Sequence, residues 1–491
     1  MTAPRRRDLP PLPDAIASIH LIGICGTGMG ALAGMLKERG YEVRGSDRGA
    51  YPPMSTWLAE RGIDIMAGYD PAHLDWGPDL VIVGNVCRRD NPESVAAHER
   101  GLPAISLPEA LRALFLTGRR PLVVTGTHGK TTTSSMLAWM LEHGGRDPGF
   151  FIGGITGNFG STFKLGDGEH FVVEGDEYDT AWFDKVPKFW HYAPLRATIN
   201  NIEFDHGDIY PDVASIVAVF EAFAAMIPAE GALWINGDDP RAVAVAEHAT
   251  APVFTFGLGP DNTLRATDVR VEQGETVAAI WRGEEQVGVL RTPMLGEHNV
   301  RNTLGALALA TDEGLPVATC LEAMRAFRSV RKRQELRGER RGVLVYDDFA
   351  HHPTAVRETL RALRSKHPDA RLWAIFEAKS NTSRMAIFQG EYPRAFAAAD
   401  RVVLSAPWRK DSHLRDDQKL DIGQVAADLG AMGIPARFIP EVPEIVAMLA
   451  DELEPGDVVA GLSGSNFAGF HDLLLERLAA TPDAAPPEES S

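Results

Sequence analysis

The most constraining feature of this sequence is a glycine-bearing turn between an apolar run and a helical pattern. Residues 122–133 read Leu-Val-Val-Thr-Gly-Thr-His-Gly-Lys-Thr-Thr-Thr. The apolar residues 121–124 suit a buried parallel strand, and residues 133–142 place apolar side chains at helical spacing. Strand, glycine turn and helix in this order are typical of a phosphate-binding loop. The stretch therefore predicts a nucleotide site.

Each residue type in this loop suits phosphate binding. Gly126 and Gly129 let backbone N–H groups surround phosphate oxygens at a helix N-terminus. The Lys130 side chain would reach the β- and γ-phosphates, and the Thr131 hydroxyl would ligate Mg²⁺. The generic pattern wants a glycine where this chain has Val124, so a lysine-bearing turn without a ligand is the alternative. We assign ATP binding to the whole loop: Gly126, Thr127, His128, Gly129, Lys130, Thr131 and Thr132.

The size and charge of the chain restrict the kinds of protein that it can be. With 491 residues, 44% of them apolar, it is long enough for two to four domains with sizeable cores. A net charge of −18 argues against non-specific binding to nucleic acid or to anionic membranes. The three cysteines are far apart, no apolar run reaches membrane-spanning length, and residues 1–8 lack a signal-peptide core. We expect a cytoplasmic enzyme, with a disordered tail at residues 481–491.

The first segment, residues 1–115, alternates strand and helix patterns. Residues 18–25 read as a strand, residues 31–39 as a helix, and the turn between them is Gly26, Thr27, Gly28, Met29 and Gly30. A second strand ends at Asp47, about twenty residues later, close to the dinucleotide-binding fingerprint. The glycines predict a nucleotide diphosphate at a helix N-terminus; a nicotinamide cofactor is the alternative. Asn85 follows a further strand, at the strand end where ligands bind in such sheets.

The central segment, residues 116–327, adds acidic residues and a histidine after two further strands. Glu174 ends an apolar strand and suits a loop-bound Mg²⁺, as a Walker B acid does. The following Asp176, Glu177 and Asp179 fit either a site or a solvated acidic turn. His206 follows the next strand and is a candidate metal ligand.

Two patterns close the central segment. Residues 252–292 alternate in short runs and predict a small antiparallel sheet. A helix then begins near Gly296 and carries Asn299 and Asn302 on its first turns. Amide side chains there can read an adenine edge, although helix capping explains Asn299 nearly as well.

The third segment, residues 328–480, begins with a basic connector at residues 328–333. Strand patterns follow at residues 342–348, 371–376, 401–404 and 457–462. The chain thus predicts an α/β fold of three domains: a Rossmann-like domain, a central ATP-binding domain with a mostly parallel sheet and a small antiparallel sheet, and a second Rossmann-like domain.

Several motifs together resemble the Mur ligases, the ATP-dependent amide-forming enzymes of peptidoglycan synthesis. They are the phosphate loop, Glu174, the run Asn-Asn-Ile-Glu-Phe-Asp-His that ends at His206, Gly-Glu-His-Asn-Val-Arg-Asn from Gly296, and Asp-Asp-Phe-Ala-His-His-Pro from Asp347. The resemblance runs in order over essentially the whole chain. It also accounts for the displaced glycine, because the family uses the shorter loop Gly-Thr-x-Gly-Lys-Thr-Thr.

The resemblance implies roles for individual residues. Lys130 and Glu174 would be catalytic with His206, and Mg²⁺ would be held by Thr131 and Glu174, with His206 on a second Mg²⁺. Asn302, Arg333 and Asp348 match positions that contact adenine, phosphate and ribose, and we add Asn299 and His351, although His351 also suits a structural turn. The first domain would hold a UDP sugar through residues 26–30, Asp47 and Asn85, and the third would bind the peptide.

The resemblance also implies the reaction. The ligase would join the lactyl carboxylate of UDP-N-acetylmuramate to an amine through an acyl phosphate, with ATP as co-substrate. Members that use this donor add either L-alanine or the murein tripeptide L-alanyl-γ-D-glutamyl-meso-diaminopimelate. Glu-Gly-Asp-Glu-Tyr-Asp from Glu174 and Val-Gly-Asn-Val from Val83 resemble the tripeptide-adding members of peptidoglycan recycling, and we favour that acceptor. The carbamylated lysine of several relatives is absent, because no lysine lies between Lys188 and Lys332.

Two other classes complete the alternatives. A nicotinamide oxidoreductase would rest on residues 26–30 and Asp47 alone and leaves the phosphate loop unexplained. A nucleotide-gated binding protein without chemistry would tolerate the loss of Glu174. We expect a monomer or weak homodimer whose ligands are ATP, UDP-N-acetylmuramate and the tripeptide.

Overall fold

The computed structural model describes residues 8–407 and 414–480. Within these ranges the chain forms three main β-sheets, one after another along the chain, with helices between their strands. The predicted α/β class is confirmed. The prediction of a disordered tail at residues 481–491 lies outside the described residues. None of the described helices combines the length and apolarity needed to cross a bilayer.

The first sheet is parallel and has the strand order β3-β2-β1-β4-β5. Its strands are β1 (Ser18–Ile22), β2 (Glu42–Asp47), β3 (Asp64–Ala67), β4 (Leu80–Val83) and β5 (Ala104–Ser106). Its helices are α1 (Thr27–Glu38), α2 (Met54–Glu60), α3 (Pro92–Glu99) and α4 (Leu107–Leu111). Because β2 and β4 pair with opposite sides of β1, the strand order reverses at β1, where such sheets open a ligand crevice.

The first helix begins earlier than the sequence predicted. Residues 26–30 were expected to form a turn, yet α1 already starts at Thr27, with Gly26 as its N-cap. Gly30 therefore lies inside the helix, and the space left by its missing side chain is occupied by the Met54 sulfur. The glycines therefore allow close packing inside a helix as well as a tight entry to it.

The central sheet has the order β17-β16-β15-β14-β13-β12-β6-β9-β7-β8. Its strands are β6 (Arg120–Thr125), β7 (Gly149–Phe151), β8 (Phe163–Lys164), β9 (His170–Glu174), β12 (Arg196–Ile199), β13 (Ala232–Asn236), β14 (Val253–Gly257), β15 (Leu264–Glu272), β16 (Glu275–Arg282) and β17 (Glu285–Thr292). A hairpin of β10 (Asp179–Ala181) and β11 (Asp184–Pro187) stands apart. The helices are α5 (Lys130–His143), α6 (Val213–Met226), α7 (Pro240–Val245), α8 (Glu297–Asp312) and α9 (Val317–Arg325).

The antiparallel strands differ from the prediction in one respect. Strands β15 to β17 are antiparallel as expected, but they continue the central sheet and do not form a separate one. Strand β14 pairs in parallel with β13 and with the beginning of β15, at Phe256 and Gly257. Only two residue pairs connect β14 to β15, and such a short contact does not change the alternation of apolar and polar residues from which the strands were predicted.

The third sheet has the order β18-β19-β23-β20-β21-β22, with β18 as its antiparallel edge. Its strands are β18 (Glu335–Arg340), β19 (Val343–Asp348), β20 (Leu372–Glu377), β21 (Arg401–Leu404), β22 (Ala436–Phe438) and β23 (Val458–Ser463). Its helices are α10 (Pro353–Lys366), α11 (Tyr392–Ala395), α12 (Ile422–Ala431), α13 (Val442–Glu452) and α14 (Phe470–Ala480).

The apolar cores connect the sheets unequally. One core runs from the first sheet into the central sheet, and Phe163 of β8 packs in it against Trp57 and the helical Gly34. The third sheet instead has a core on each face, since alternate residues of β20 belong to different clusters. Phe204 of the central segment packs against one of these cores. Next to it, residues 204–208 form hydrogen bonds with His352, Asn381 and Thr382 of the third segment.

Candidate active site

The predicted nucleotide residues lie at one edge of the central sheet. Strand β6 leads into the phosphate loop and has β12 and β9 as its neighbours. Because all three strands are parallel, their carboxyl ends bring together the loop, Glu174 at the end of β9 and the residues that follow β12. This edge is a topological switch point, where open α/β sheets bind ligands.

The loop conformation depends on its two glycines. Gly126 has φ +130° and Gly129 has φ +81°, values that side-chain-bearing residues rarely adopt. A Cβ atom on Gly126 would lie 3.0 Å from the backbone nitrogens of Asn200 and Asn201, and one on Gly129 would collide with Asn302. The loop therefore passes closely between the residues after β12 and the start of α8.

Lys130 is held by a carboxylate that the sequence left ambiguous. Its ammonium donates to Glu177 at 2.8 and 3.0 Å and to the carbonyl oxygens of Gly126 and Thr127 at 2.7 and 3.1 Å. Burial alone would lower the pKa of Lys130, but the charges of Glu177 and of the neighbouring acids raise it. The lysine is therefore a stable cation inside the loop.

Glu177 also joins Lys130 to His206. The Nε2 atom of His206 lies 3.0 Å from Glu177 Oε1. Burial would raise the pKa of Glu177, but Lys130 and His206 hold it below the usual range. Burial would likewise lower the pKa of His206, but the hydrogen bond and charge of Glu177 raise it. The predicted lysine and histidine thus lie on either side of one buried carboxylate.

Glu174 faces Thr131, the residue that follows Lys130. Its Oε1 atom accepts a hydrogen bond from Thr131 Oγ1 at 2.9 Å, and its Oε2 atom accepts one from the Gly153 backbone N–H at 2.7 Å. Burial raises the pKa of this carboxyl despite those donors and the nearby Lys130 charge. A cation at Glu174 would therefore relieve an unfavourable charge, and the Thr131 hydroxyl and the carboxylate supply the oxygen ligands that Mg²⁺ prefers.

The acids that follow Glu174 separate into two kinds. Glu177 is buried, and Asp176 pairs with Lys188 at 2.6 Å while lying within reach of Glu177 and His206 as a possible metal-binding group. Asp179 pairs with the exposed Lys185. The interpretation as a solvated turn suits Asp179 best, whereas Glu177, which the sequence analysis did not assign, contacts two predicted site residues, Lys130 and His206. The acidic run was the signal, but it does not say which side chain turns inward.

The predicted adenine and ribose residues are brought to the same region. Asn302 donates to Asn299 Oδ1 at 3.1 Å, and Asn299 donates to the Leu295 carbonyl at 2.8 Å. Asp348 accepts the backbone N–H groups of Gln334 and Ala350 at 2.7 and 2.8 Å. Asn302 adjoins the loop, while the Asn299 amide is engaged within its own helix start.

Arg333 brings the basic connector to the site. Its guanidinium lies 4.7 Å from the ring centroid of Phe349. Burial lowers its pKa, and the charges of Asp348 and Glu174 oppose that effect. A partly buried cation that interacts electrostatically with these two acids suits an anionic ligand.

A cavity of about 240 Å³ opens beside His206. His351 faces it, with its Nδ1 atom 2.8 Å from the Phe349 carbonyl. Asp208 accepts hydrogen bonds from Tyr178 and Asn381 across it. The lining combines central and third-sheet residues: Tyr178, Asp205, His206, Asp208, Phe349, His351, Ser380, Asn381, Thr382 and Gly464.

The predicted UDP-sugar residues gather at the carboxyl edge of the first sheet. Residues 26–30 follow β1, Asp47 ends β2 and Asn85 follows β4, the two neighbours of β1. Asp47 accepts the backbone N–H groups of Cys25 and Gly49 at 2.9 and 2.8 Å. The carboxylate thus fixes the turn before α1 at the switch point of this sheet.

Comparison with known families covers all three sheets. Family models match residues 18–119 (Mur ligase family, catalytic domain), residues 124–310 (Mur ligase middle domain) and residues 332–465 (Mur ligase, glutamate ligase domain). The matches follow one another in the order of the sheets. They include the phosphate loop, Glu174 and His206.

The similarity to individual relatives covers nearly the whole chain. The UDP-N-acetylmuramate–L-alanyl-γ-D-glutamyl-meso-2,6-diaminoheptandioate ligase of Escherichia coli (strain K12) is 40% identical over 95% of this chain and 99% of its own. A murein peptide ligase from Psychrobacter arcticus 273-4 has a TM-score of 0.69 at 33% identity, covering 95% of this chain and 99% of its own. The UDP-N-acetylmuramate–alanine ligase of Thermotoga maritima reaches a TM-score of 0.76 at 25% identity, covering 94% and 98%.

Proposed function

The chain belongs to the Mur ligase family, and on that premise we propose that it joins UDP-N-acetylmuramate to the tripeptide L-alanyl-γ-D-glutamyl-meso-diaminopimelate at the expense of ATP. The observation that carries the ligase chemistry is the convergence of Lys130, Glu174 and His206 at one sheet edge. The choice of acceptor is supported by the higher identity to relatives named for the tripeptide reaction. An alanine ligase has the higher TM-score, but a TM-score measures backbone similarity. The same fold can serve both activities, so this score does not distinguish the two acceptors.

The first step activates a carboxylate. The lactyl carboxylate attacks the γ-phosphorus of ATP, a P–O bond forms, the bond to the β–γ bridging oxygen breaks, and ADP leaves. Charge spreads over the transferring phosphoryl group, so catalysis depends on positioned cations and N–H donors. Lys130 supplies the cation, and the loop backbone opened by Gly126 and Gly129 supplies the donors.

The residues present fit magnesium. Thr131 and Glu174 offer adjacent oxygens in a partly buried setting, where desolvation raises the pKa of the acid, and His206 offers an imidazole beside Asp176 and Glu177. Bound Mg²⁺ would neutralise phosphate charge and orient the two reacting oxygens. Asp176 and Glu177 place carboxylate oxygens near the His206 imidazole.

The second step forms the amide. The α-amine of the tripeptide attacks the acyl carbon, a tetrahedral species forms, and phosphate leaves with the electron pair of the broken C–O bond. The cavity beside His206 reaches from the central segment to the third sheet, which fits a peptide that presents its amine to the sheet edge. The UDP sugar would lie at the switch point of the first sheet, and we place the reaction in the cytoplasm, in peptidoglycan recycling.

An ADP-release assay tests the assignment. With UDP-N-acetylmuramate and ATP present, we expect turnover with the tripeptide and turnover at least about tenfold slower with L-alanine, because a single residue lacks the remote contacts whose binding energy a longer acceptor can use. The Lys130→Ala variant, which lacks the loop cation, is the control for background ATPase. Turnover with L-alanine alone would replace this proposal with the alanine ligase, and silence with both amines would refute both.

A further inference from the structure

Three potential metal-binding side chains meet beside the phosphate loop, and none of them is among the proposed magnesium ligands. His128 belongs to the phosphate loop, Glu203 follows β12, and His352 is the N-cap of α10 beneath the third sheet. Glu203 Oε2 lies 3.4 Å from His128 Nε2 and 3.5 Å from His352 Nδ1. One ligand atom from each residue falls within 4.8 Å of the other two.

His352 is prepared to act as a ligand. Its Nε2 atom lies 3.2 Å from the Phe204 carbonyl oxygen, which can only accept, so the ring proton is assigned to Nε2. The remaining lone pair, on Nδ1, accepts the Thr354 backbone N–H at 3.3 Å as the cap of α10, so a metal ion bound at Nδ1 would replace this long hydrogen bond. Burial lowers the pKa of His352 to about 3, so the ring is neutral at ordinary pH. A histidine whose second nitrogen donates to a carbonyl is the usual arrangement of a metal ligand.

The other two ligands are also suitably held. The Nε2 atom of His128 is buried and has no hydrogen-bond partner among the described residues. Glu203 accepts a hydrogen bond from the Thr354 hydroxyl at 2.7 Å, and its pKa is lowered to about 2 because the nearby histidines outweigh its burial. The carboxylate is thus charged and oriented toward the two rings.

The spacing suits a tetrahedral ion. Bonds of about 2.0–2.2 Å from Zn²⁺ to nitrogen and oxygen put neighbouring ligand atoms roughly 3.3–3.6 Å apart. The two distances from Glu203 Oε2 lie in that interval. Two imidazoles and one carboxylate are a set that Zn²⁺ prefers, whereas Mg²⁺ favours oxygen.

We propose that His128, Glu203 and His352 form a binding site for Zn²⁺ or a similar divalent transition-metal ion. The site is separate from the proposed magnesium ligands Thr131, Glu174 and His206. Because His128 lies inside the phosphate loop and His352 begins α10, a bound ion ties the loop to the third sheet. The proposal does not depend on which amine the ligase accepts.

Titration of the full chain with Co²⁺ in the presence of excess Mg²⁺ tests the proposal. We expect one equivalent of Co²⁺ to bind with the intense visible absorption of tetrahedral coordination, and Zn²⁺ to displace it. The His352→Gln variant, which can still cap α10 through its side-chain oxygen but lacks the imidazole ligand, should bind at least about 100-fold more weakly, because changes to outer-shell partners alone already cost about 10- to 100-fold. Glu203→Gln should show the same loss, so the test does not depend on one variant folding.

His191→Gln provides the matched control. His191 is a buried histidine beside Asp184 in another carboxylate cluster, and its loss should leave the Co²⁺ spectrum unchanged. A weak octahedral spectrum, or full affinity in folded His352→Gln and Glu203→Gln, would overturn the proposal. So would loss of the signal in His191→Gln, since the ion would then occupy the other cluster. Thermal unfolding of each variant confirms that the folded protein is being compared.

Discussion

The ammonium of Lys130 lies 2.8 Å from one carboxylate oxygen of Glu177 and 3.0 Å from the other. The same carboxylate contacts His206 at 3.0 Å. A nucleotide phosphate that binds Lys130 must therefore compete with Glu177. Glu177 keeps the lysine charged and positioned, which makes it a positioning residue beside the groups that we propose to contact ATP.

Replacement of Glu177 tests this relationship. In Glu177→Gln we expect turnover in the ADP-release assay to fall about 10- to 100-fold, because the amide keeps the size of the side chain but loses the charge that orients Lys130 and His206. Asp179→Asn is the matched control, since Asp179 pairs with the exposed Lys185, and its rate should change less than twofold. Equal rates in the two variants would contradict the role of Glu177.

Replacement of Glu174 tests the magnesium site. Glu174→Gln leaves the Thr131 contact possible but removes a charged ligand, so turnover should fall by roughly 10²-fold or more. Calorimetry of ADP binding with and without Mg²⁺ is the direct measurement. In the wild type Mg²⁺ should tighten ADP binding, and in the variant the two affinities should converge. A variant that keeps the magnesium effect would place the ion elsewhere.

The loop glycine Gly129 offers a test of close packing. Its φ of +81° and its approach to Asn302 mean that Gly129→Ala adds both backbone strain and a collision. Gly145→Ala is the control, because Gly145 has φ +72° with open space around the missing Cβ. We expect Gly145→Ala to cost about 1–2 kcal/mol of unfolding free energy, and Gly129→Ala to cost more and to lose ATP binding. Chemical denaturation and nucleotide titration measure the two effects.

The pH dependence of stability is expected to involve Glu313. Burial would raise its pKa, but hydrogen bonds from His170 and Arg120, together with the charges of Arg120 and Arg196, lower it from 4.5 to about 2. A depressed pKa stabilises the folded state above the unfolded value, and this contribution is lost as the pH falls from about 4.5 to about 2. The contribution is on the order of 3 kcal/mol.

Denaturation curves of wild type and Glu313→Gln across this interval test the assignment. The variant should be less stable at pH 7, and the difference from wild type should shrink as the pH falls. A difference that stays constant between pH 7 and pH 3 would show that the ionised form of Glu313 is not what stabilises the fold.

The sequence predicted the parts of the fold whose signals are local. Strand β6, the phosphate loop and α5 follow from one continuous stretch, and Glu174 ends its strand as expected. The polar edge strands β18 and β22 were missed because neither has a continuous apolar run. The start of α1 was misplaced because glycine is read as a turn former, while Gly28 and Gly30 are needed here for packing within the helix.

The site was less predictable where it depends on contacts between distant segments. Glu177 and Asp179 are two residues apart in one acidic run, yet Glu177 is buried against Lys130 and Asp179 pairs at the surface. Only the path of the backbone after β9 separates them. Glu203 and His352 are 149 positions apart, and no pattern in either segment indicates that the two side chains meet.

The unequal joints between the sheets have a thermodynamic consequence. Drawing the first and central sheets apart would expose Trp57 and Phe163 to solvent, and each such ring is costly to hydrate. Drawing the third sheet away would expose the partly buried Phe204 ring and exchange hydrogen bonds at Asp208, Thr382 and His352 for bonds to water, the latter at little net cost. A movement that admits a peptide to the phosphate loop therefore requires the least free energy at the contact between residues 204–208 and the third sheet, where His352 and Asn381 lie.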